Sequence, residues 1–293
     1  MWFCYTHNVI RNTMKRLTSL ISLLVITAAT VAAQPKLNKN NIDEVLNAMT
    51  LQEKATLVVG SGWGSMNAGS MTASARHLVP GAAGTTQPID RLGIPSTVLA
   101  DGPAGLRIEP IRKGDAMTYY CTGFPVGTVM ACTWNAPLVQ EMTTAMGNEV
   151  KEYGVDVLLA PGMNIHRNPL CGRNFEYYSE DPYLTGKIGT AFIKGLQGDG
   201  KYRKVDATIK HYVAHSGPEA TRHGFDSKMS EKDFRETYLA AFRYCIENAH
   251  PSAVMGAYNS VNGEICCGSR KLLKDILRDE LGFDGYVVSD CGA

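Results

Sequence analysis

Short apolar runs alternate with longer amphipathic stretches along most of this chain. Ser96–Ala100 (STVLA, following Pro95), Val155–Ala160 (VDVLLA), Asp206–Val213 (DATIKHYV), Ser252–Tyr258 (SAVMGAY) and Tyr286–Ser289 (YVVS) read as strands, and Val126–Cys132 reads as a sixth. The stretches between them carry helix punctuation. Asn41 stands where a helix running to about Val58 would be capped, with Asp43 and Glu44 in its first turn. Asn135 caps a helix to Tyr153, and Gly154 follows as its stop. Tyr183–Leu196 reads as helical. Ser230 opens a helix through Asn248, with Asp233 completing a start like a capping box. Ser269 caps a helix that stops at Gly282.

Apolar strands separated by helices predict a parallel sheet covered by helices. Polar residues gather just past the strands: Asp101-Gly102-Pro103, then Asn164, His166, Arg167 and Arg173, then Lys210 and His211, then Tyr258 and Asn259, and last Asp290. A (β/α)8 TIM-type barrel builds its active site from such strand ends. A doubly wound sheet binds ligands at the same end, but no phosphate-binding glycine loop supports it. Six strands fall short of the eight of a barrel, and the sequence stops soon after Asp290. The expected fold is therefore α/β, a TIM-type barrel truncated before its last strand and helix.

The chain has 293 residues, 44% of them hydrophobic and 19% charged, which suits one large globular domain and argues against disorder. A net charge of +1 gives no electrostatic basis for a nucleic-acid partner. Met14-Lys15-Arg16, the apolar run Leu17–Ala29 and the small residues Thr30-Val31-Ala32-Ala33 have the three-part form of a secretory signal cleaved after Ala33. Residues 1–33 are read as this signal, with Met14 a candidate true start, and residues 34–293 as the mature domain of a secreted or periplasmic protein. The apolar run is short for a membrane anchor, which takes about 20 residues. Of eight cysteines, seven follow the signal. Cys266 and Cys267 are adjacent, and the spacing fits no metal site. Most cysteines are expected to serve as small buried apolar residues. No cofactor or metal is implied.

A retaining glycosidase needs a carboxylate beside the anomeric carbon and a second acid to protonate the leaving oxygen. Asp290 ends an apolar strand, where a side chain is held rigidly, although on bulk statistics alone a helix N-cap Asp is the more ordinary occupant of that position. Four motifs in order bear on the choice: Leu99–Arg107 (LADGPAGLR), Cys171–Pro182 (CGRNFEYYSEDP), Ile209–Tyr212 (IKHY) and Val287–Asp290 (VVSD). Across residues 96–293 these resemble the N-terminal barrel portion of glycoside hydrolase family 3, which includes β-glucosidases and β-xylosidases. The resemblance implies roles. Asp290 would be the nucleophile that forms a covalent glycosyl intermediate. Asp101 would accept hydrogen bonds from outer sugar hydroxyls. Lys210, His211 and Arg173 would donate to other hydroxyls, their positive charge favouring ionised carboxylates nearby. Tyr258 would sit beside the nucleophile and bond to it. Each has a structural counterpart: Arg173 as ion-pair partner of Glu176 or Asp181, His211 as a satisfied core histidine, and Glu176, Glu180 and Asp181 as scaffold. Trp134 is expected in the core rather than as a sugar platform.

The second acid is implied to be a Glu on a following α/β sandwich domain, outside these residues. Glu219, in His215-Ser216-Gly217-Pro218-Glu219, resembles part of a loop lining the site. In the N-acetylglucosaminidase branch an Asp-x-His loop supplies the acid. Here His223 falls at the matching distance from Lys210, but Thr221 holds the Asp position, which sets the chain apart from that branch. Residues 78–205 look most like β-glucosidases and residues 206–293 like xylosidase-like relatives. The implied activity is exo-acting hydrolysis of terminal non-reducing β-linked sugars, β-glucosides or β-xylosides, with an oligosaccharide or glycoside as partner. Two other readings stay open: a carbohydrate-binding fragment without turnover, and a Schiff-base aldolase using Lys210, in whose chemistry the other three motifs have no role.

Overall fold

The computed structural model describes residues 34–60 and 78–293; the signal-like segment lies outside them. The described residues divide into two compact units, residues 34–58 with Gln87–Pro95, and residues 59–60 and 78–86 with Ser96–Ala293. In the first, two helices, α1 (Ile42–Ala48) and α2 (Leu51–Val59), replace the single helix expected after Asn41. The break has a local cause. Met49 is extended, and Thr50 starts a new capping box: its N–H donates to Glu53 Oε2 at 2.8 Å while its Oγ1 accepts from Glu53 N at 3.2 Å. Asn41 does not cap α1; its Oδ1 accepts from Asn38 N at 2.8 Å. Glu53 also pairs with Arg91, and Val45, Met49, Ile89 and Leu92 form a small core.

The second unit is built on a six-stranded sheet. β1 (Gly84–Thr85) runs antiparallel to β2 (Val98–Asp101). From β2 onward, β3 (Val157–Leu159), β4 (Asp206–Tyr212), β5 (Ala253–Gly256) and β6 (Tyr286–Ser289) are parallel and lie in sequence order. The helices of this unit include α3 (Gly127–Cys132), α4 (Ala136–Glu152), α5 (Pro182–Gln197) and α6 (Ala240–Ala249), the last preceded by helical Glu231–Asp233 and π-helical Phe234–Tyr238, with a π-helical α7 (Lys271–Glu280) before β6. Strand after helix after strand in one direction is the architecture of the TIM-type (β/α)8 barrel, of which the described residues supply five parallel strands.

Side chains alternate across the sheet. Val98, Ala100, Leu158, Ile209 and Val254 share one core with Val139, Met146 and Val150 of α4, Ile188, Phe192 and Leu196 of α5, and Phe242 and Ile246 of α6. The opposite face carries Leu99, Val157, Leu159, Met255 and Val288. Wholly buried side chains such as Phe192, Leu196 and Phe242 contribute ~1.5–3 kcal/mol each. Side-chain caps hold the helices of this unit, all but that of Asp181 expected from the sequence. Asn135 accepts from Leu138 N at 3.1 Å, Asp181 from Tyr183 N at 2.8 Å, Ser230 from Asp233 N at 3.0 Å and Ser269 from Leu272 N at 3.1 Å.

Three expectations are corrected. Val126–Cys132 is not a strand. Gly127, Met130 and Ala131 of α3 are buried at helical spacing, and Thr128 Oγ1 donates to the carbonyls of Asn174 and Tyr177, both at 3.0 Å. Trp134, placed in the core from its sequence position, is 76% exposed with φ in the left-handed region. The cysteines are less uniformly buried than expected. All seven described are free thiols, and Cys171, Cys245 and Cys266 are buried, but Cys132 is exposed and Cys121, Cys267 and Cys291 are half-buried. Among the described residues no helix is long and apolar enough to cross a membrane.

Candidate active site

The polar strand ends meet in one region of the second unit. Asp101 closes β2, and the chain turns sharply at Gly102, where a Cβ would fall 1.5 Å from Gly105 O. Arg107 N then donates back to Asp101 O at 2.9 Å. This turn leaves the Asp101 side chain 37% exposed, with Oδ1 2.7 Å from Lys210 Nζ and Oδ2 3.8 Å from Arg107 Nη1.

Lys210 and His211 are consecutive on β4, so a regular strand would send them to opposite faces. The β4–β5 register shifts between Ile209 and Tyr212, an irregularity of the kind that re-aims side chains near active sites. Lys210 reaches Asp101 while His211 Nε2 lies 3.5 Å from Asp290 Oδ2. Asn164, in the loop after β3, holds this stretch: its Oδ1 accepts from His211 N at 2.8 Å and its Nδ2 donates to His211 O at 2.9 Å.

Asp290 follows β6, its N–H donating to Gly256 O at 3.0 Å. It is 6% exposed, and its two oxygens have different surroundings. Oδ1 accepts from the N–H of the next residue, Cys291, at 2.8 Å. Oδ2 has no hydrogen-bond partner among the described residues and faces Arg173 Nη1 at 3.7 Å and His211 Nε2 at 3.5 Å. Arg173 is bound through Nε to Glu176, so the ion pair with Glu176 and the approach to Asp290 coexist in one guanidinium. Tyr258 lies beside Asp290, and burial followed by the Asp290 charge pushes its hydroxyl pKa up; the hydroxyl donates to Cys291 O at 2.9 Å. Burial, then the charges of Asp290 and Asp101, push the half-buried Cys291 thiol pKa up, with Lys210 opposing the rise.

Two buried histidines, His211 and His215, favour their neutral forms. Burial, then Arg173 and Lys210, hold His211 well below the ordinary imidazole pKa of 6.5, and burial, then Arg173, bring His215 down to about 4. The positive charge expected of His211 is therefore corrected. It is a neutral ring, and the cations of the site are Lys210 and Arg173. His215 bonds through Nδ1 to Asn259 Oδ1 at 3.1 Å and packs among His211, Phe225 and Tyr258. His223 meets the Tyr258 ring edge-on at 4.3 Å, and Arg222 links His223 to Glu219.

All six residues singled out in the sequence, Asp101, Arg173, Lys210, His211, Tyr258 and Asp290, belong to this region. Sequence reasoning gave no role to Tyr177, whose hydroxyl lies 3.1 Å from His211 Nδ1, nor to the clamp by Asn164 or the tilted ring contact with His215. Tyr177 stood inside the CGRNFEYYSEDP motif, and only its place there could have drawn attention to it. Chemically, the site offers one buried carboxylate with an unengaged oxygen, flanked by donors, and a second carboxylate open enough to accept hydrogen bonds from a polyhydroxylated ligand.

Residues 45–293 match the family described as the glycosyl hydrolase family 3 N terminal domain. The chain is 40% identical over 256 residues to thermostable β-glucosidase B of Acetivibrio thermocellus, covering 86% of this chain and 31% of that protein. It is 45% identical over 202 residues to β-glucosidase A of Butyrivibrio fibrisolvens, covering 69% and 23%. The structure of β-glucosidase 3B from Thermotoga neapolitana in complex with glucose superposes with a TM-score of 0.77 at 50% identity, over 86% of this chain and 34% of that one. The chain thus spans a third or less of the length of the curated relatives it matches. A family match over most of the chain, joined to a TIM-type sheet with carboxylates at its strand ends, makes this chain a member of glycosyl hydrolase family 3.

Proposed function

We propose that the protein hydrolyses terminal non-reducing β-linked sugars, β-glucosides first, by a retaining double displacement with Asp290 as nucleophile. The observation that carries this reading is the asymmetry of the Asp290 carboxylate: Oδ1 is tied to Cys291 N and Oδ2 is unengaged between Arg173 and His211. In the first step Oδ2 attacks the anomeric carbon as the glycosidic bond breaks, and water later releases the sugar from the ester. Asp101, half-open and bound on its inner side by Lys210, accepts hydroxyls of the same sugar, which fixes the ring before attack. Arg173, Lys210 and the His211 ring donate to the remaining hydroxyls, and Tyr258 flanks the nucleophile. The acid that protonates the leaving oxygen is read, from the family resemblance, as a Glu of a following α/β sandwich domain. The β-glucosidase names of the relatives support glucose as the sugar; the xylosidase-like pattern of residues 206–293 makes xylosides the second class to assay. The segment before Gln34 is read as an export signal, which N-terminal sequencing of the mature protein would check.

The test is covalent labelling of the full-length protein with a 2-deoxy-2-fluoro-β-glucoside. The expected result is a glycosylated peptide carrying the sugar on Asp290, and a label on any other residue sinks the assignment. Borohydride trapping of a sugar at Lys210 would instead support the aldolase reading.

A further inference from the structure

The neutral His211 ring must choose which nitrogen carries its proton, and its surroundings differ on the two sides. Nδ1 lies 3.1 Å from the Tyr177 hydroxyl and 3.3 Å from Asn164 Oδ1. Nε2 points the other way, 3.5 Å from Asp290 Oδ2, and neither of these two atoms has a hydrogen-bond partner among the described residues. The Asn164 amide cannot flip to suit the ring, because its Oδ1 and Nδ2 are both committed to the His211 backbone. Asn164 therefore offers Nδ1 an acceptor, and Tyr177 offers it a donor. A neutral imidazole can satisfy only one of them.

A proton on Nδ1 would use Asn164 Oδ1, the more distant partner and one already engaged by His211 N. It would leave the wholly buried Tyr177 hydroxyl without its Nδ1 acceptor, and it would turn the lone pair of Nε2 toward a carboxylate. A proton on Nε2 removes all three conflicts. We infer that Tyr177 is a positioning residue: its hydroxyl donates to Nδ1 and fixes His211 as the Nε2–H tautomer, so that the ring presents a donor to Asp290 and to the ligand beside it. Burial raises the Tyr177 hydroxyl well above its ordinary pKa and keeps this donor proton in place. Among the charges that act on the hydroxyl, Arg173 opposes that rise and Glu176 and Asp290 add to it. The naming of a sugar as ligand rests on the proposed function; the tautomer does not.

The experiment is a long-range proton–nitrogen spectrum of the full-length protein labelled with 15N-histidine, recorded near neutral pH, with His211 identified by the missing signal in His211→Gln. The expected wild-type spectrum shows a protonated Nε2 and a bare, hydrogen-bond-accepting Nδ1. In Tyr177→Phe the proton should move to Nδ1, facing Asn164, and kcat/KM on a β-glucoside should fall about tenfold. A 3-fluorotyrosine placed at position 177 keeps the shape with a more acidic hydroxyl, and it should shift the Nδ1 resonance even if the Phe variant does not fold. A wild-type ring protonated on Nδ1 or on both nitrogens overturns the inference. So does an Nε2–H tautomer that persists in Tyr177→Phe, or an Nδ1 signal indifferent to fluorination. The expected tautomer in a protein that hydrolyses no β-glycoside would overturn the proposed function alone.

Discussion

Lys210 Nζ lies 2.7 Å from Asp101 Oδ1, joining β4 to β2 across the intervening β3. The two partners are unequal. The Lys210 side chain is almost wholly buried and that of Asp101 is more than a third exposed, so the pair holds a carboxylate at the rim with its outer oxygen facing the exposed Arg107 at 3.8 Å. Removing the carboxylate strands a buried ammonium, which costs ~1–3 kcal/mol when part of the partner was solvated. Asp101→Ala should therefore lower stability and weaken sugar binding together, and Asp101→Ala with Lys210→Met should recover the stability but not the binding. Urea unfolding and glucose titration of the single and double variants check this; a single variant as stable as the parent would remove the structural half of the argument.

Asp290→Ala separates chemistry from binding. On the proposed mechanism the carboxylate contributes its unengaged oxygen to bond formation, whereas the sugar contacts come mainly from Asp101, Lys210 and Arg173, which stand around it as ion-pair partners. Turnover of the full-length enzyme should disappear while glucose affinity stays within about tenfold of the parent, since what is lost acts on the transition state. Steady-state assays and calorimetric titration read the two quantities, and normal rates in this variant would show the role to be misassigned.

Which parts of this site were legible in the sequence follows from how far each feature reaches. Asp101, Lys210 and Asp290 end strands that are apolar up to that point, and a polar residue closing an apolar run can be seen locally. The run Val126–Cys132 could not be resolved this way. Its seven residues fit either period, and the choice was made by Thr128 bonding to carbonyls of Asn174 and Tyr177, far along the chain. The positive charge that the resemblance implies for His211 is reversed by complete burial, then by Arg173 and Lys210, and burial is tertiary. Tyr177 meets His211 across 34 positions, a distance no local pattern spans. In the first unit, the Thr50–Glu53 capping box lay in plain view, but the apolar periodicity running through it suggested one helix.

Stability should fall on acidification through the two buried histidines. Both have folded-state pKa values below the ordinary 6.5, His211 well below and His215 at about 4. Below pH 6.5 the unfolded chain binds protons that the folded one refuses, so the unfolded state gains. The share of His215 is lost between 6.5 and about 4 and amounts to ~3 kcal/mol in all; that of His211 continues to lower pH. Urea midpoints should drop steadily from about pH 7 to about pH 4.5, with a shallower slope in His215→Gln. Midpoints that do not move over this range would show that the rings take up protons without opening the fold.

The helical layer is predicted to be intolerant of a single added methyl group where α4 and α5 cross. Gly195 on α5 lets the two backbones approach so closely that a Cβ there would fall 2.0 Å from Thr143 Oγ1 and 2.4 Å from Gln140 O. Across the same contact, a Cβ at Gly147 of α4 would lie 2.6 Å from Leu196 O. The opposing atoms are largely backbone, so relief requires the helices to separate, which disturbs the packing of Met146 and Val150 against Phe192 and Leu196. Alanine is the better helix former by ~1 kcal/mol, yet overpacking of this kind costs typically ~1–3 kcal/mol or more, so the clash outweighs the propensity. Gly195→Ala and Gly147→Ala should each lower the unfolding midpoint, with sugar affinity unchanged in the protein that remains folded, because the crossing lies on the helical side of the sheet and Asp290 at its strand ends. A stabilised Gly195→Ala would mean that the helices part freely and that the close approach is not what holds this layer together.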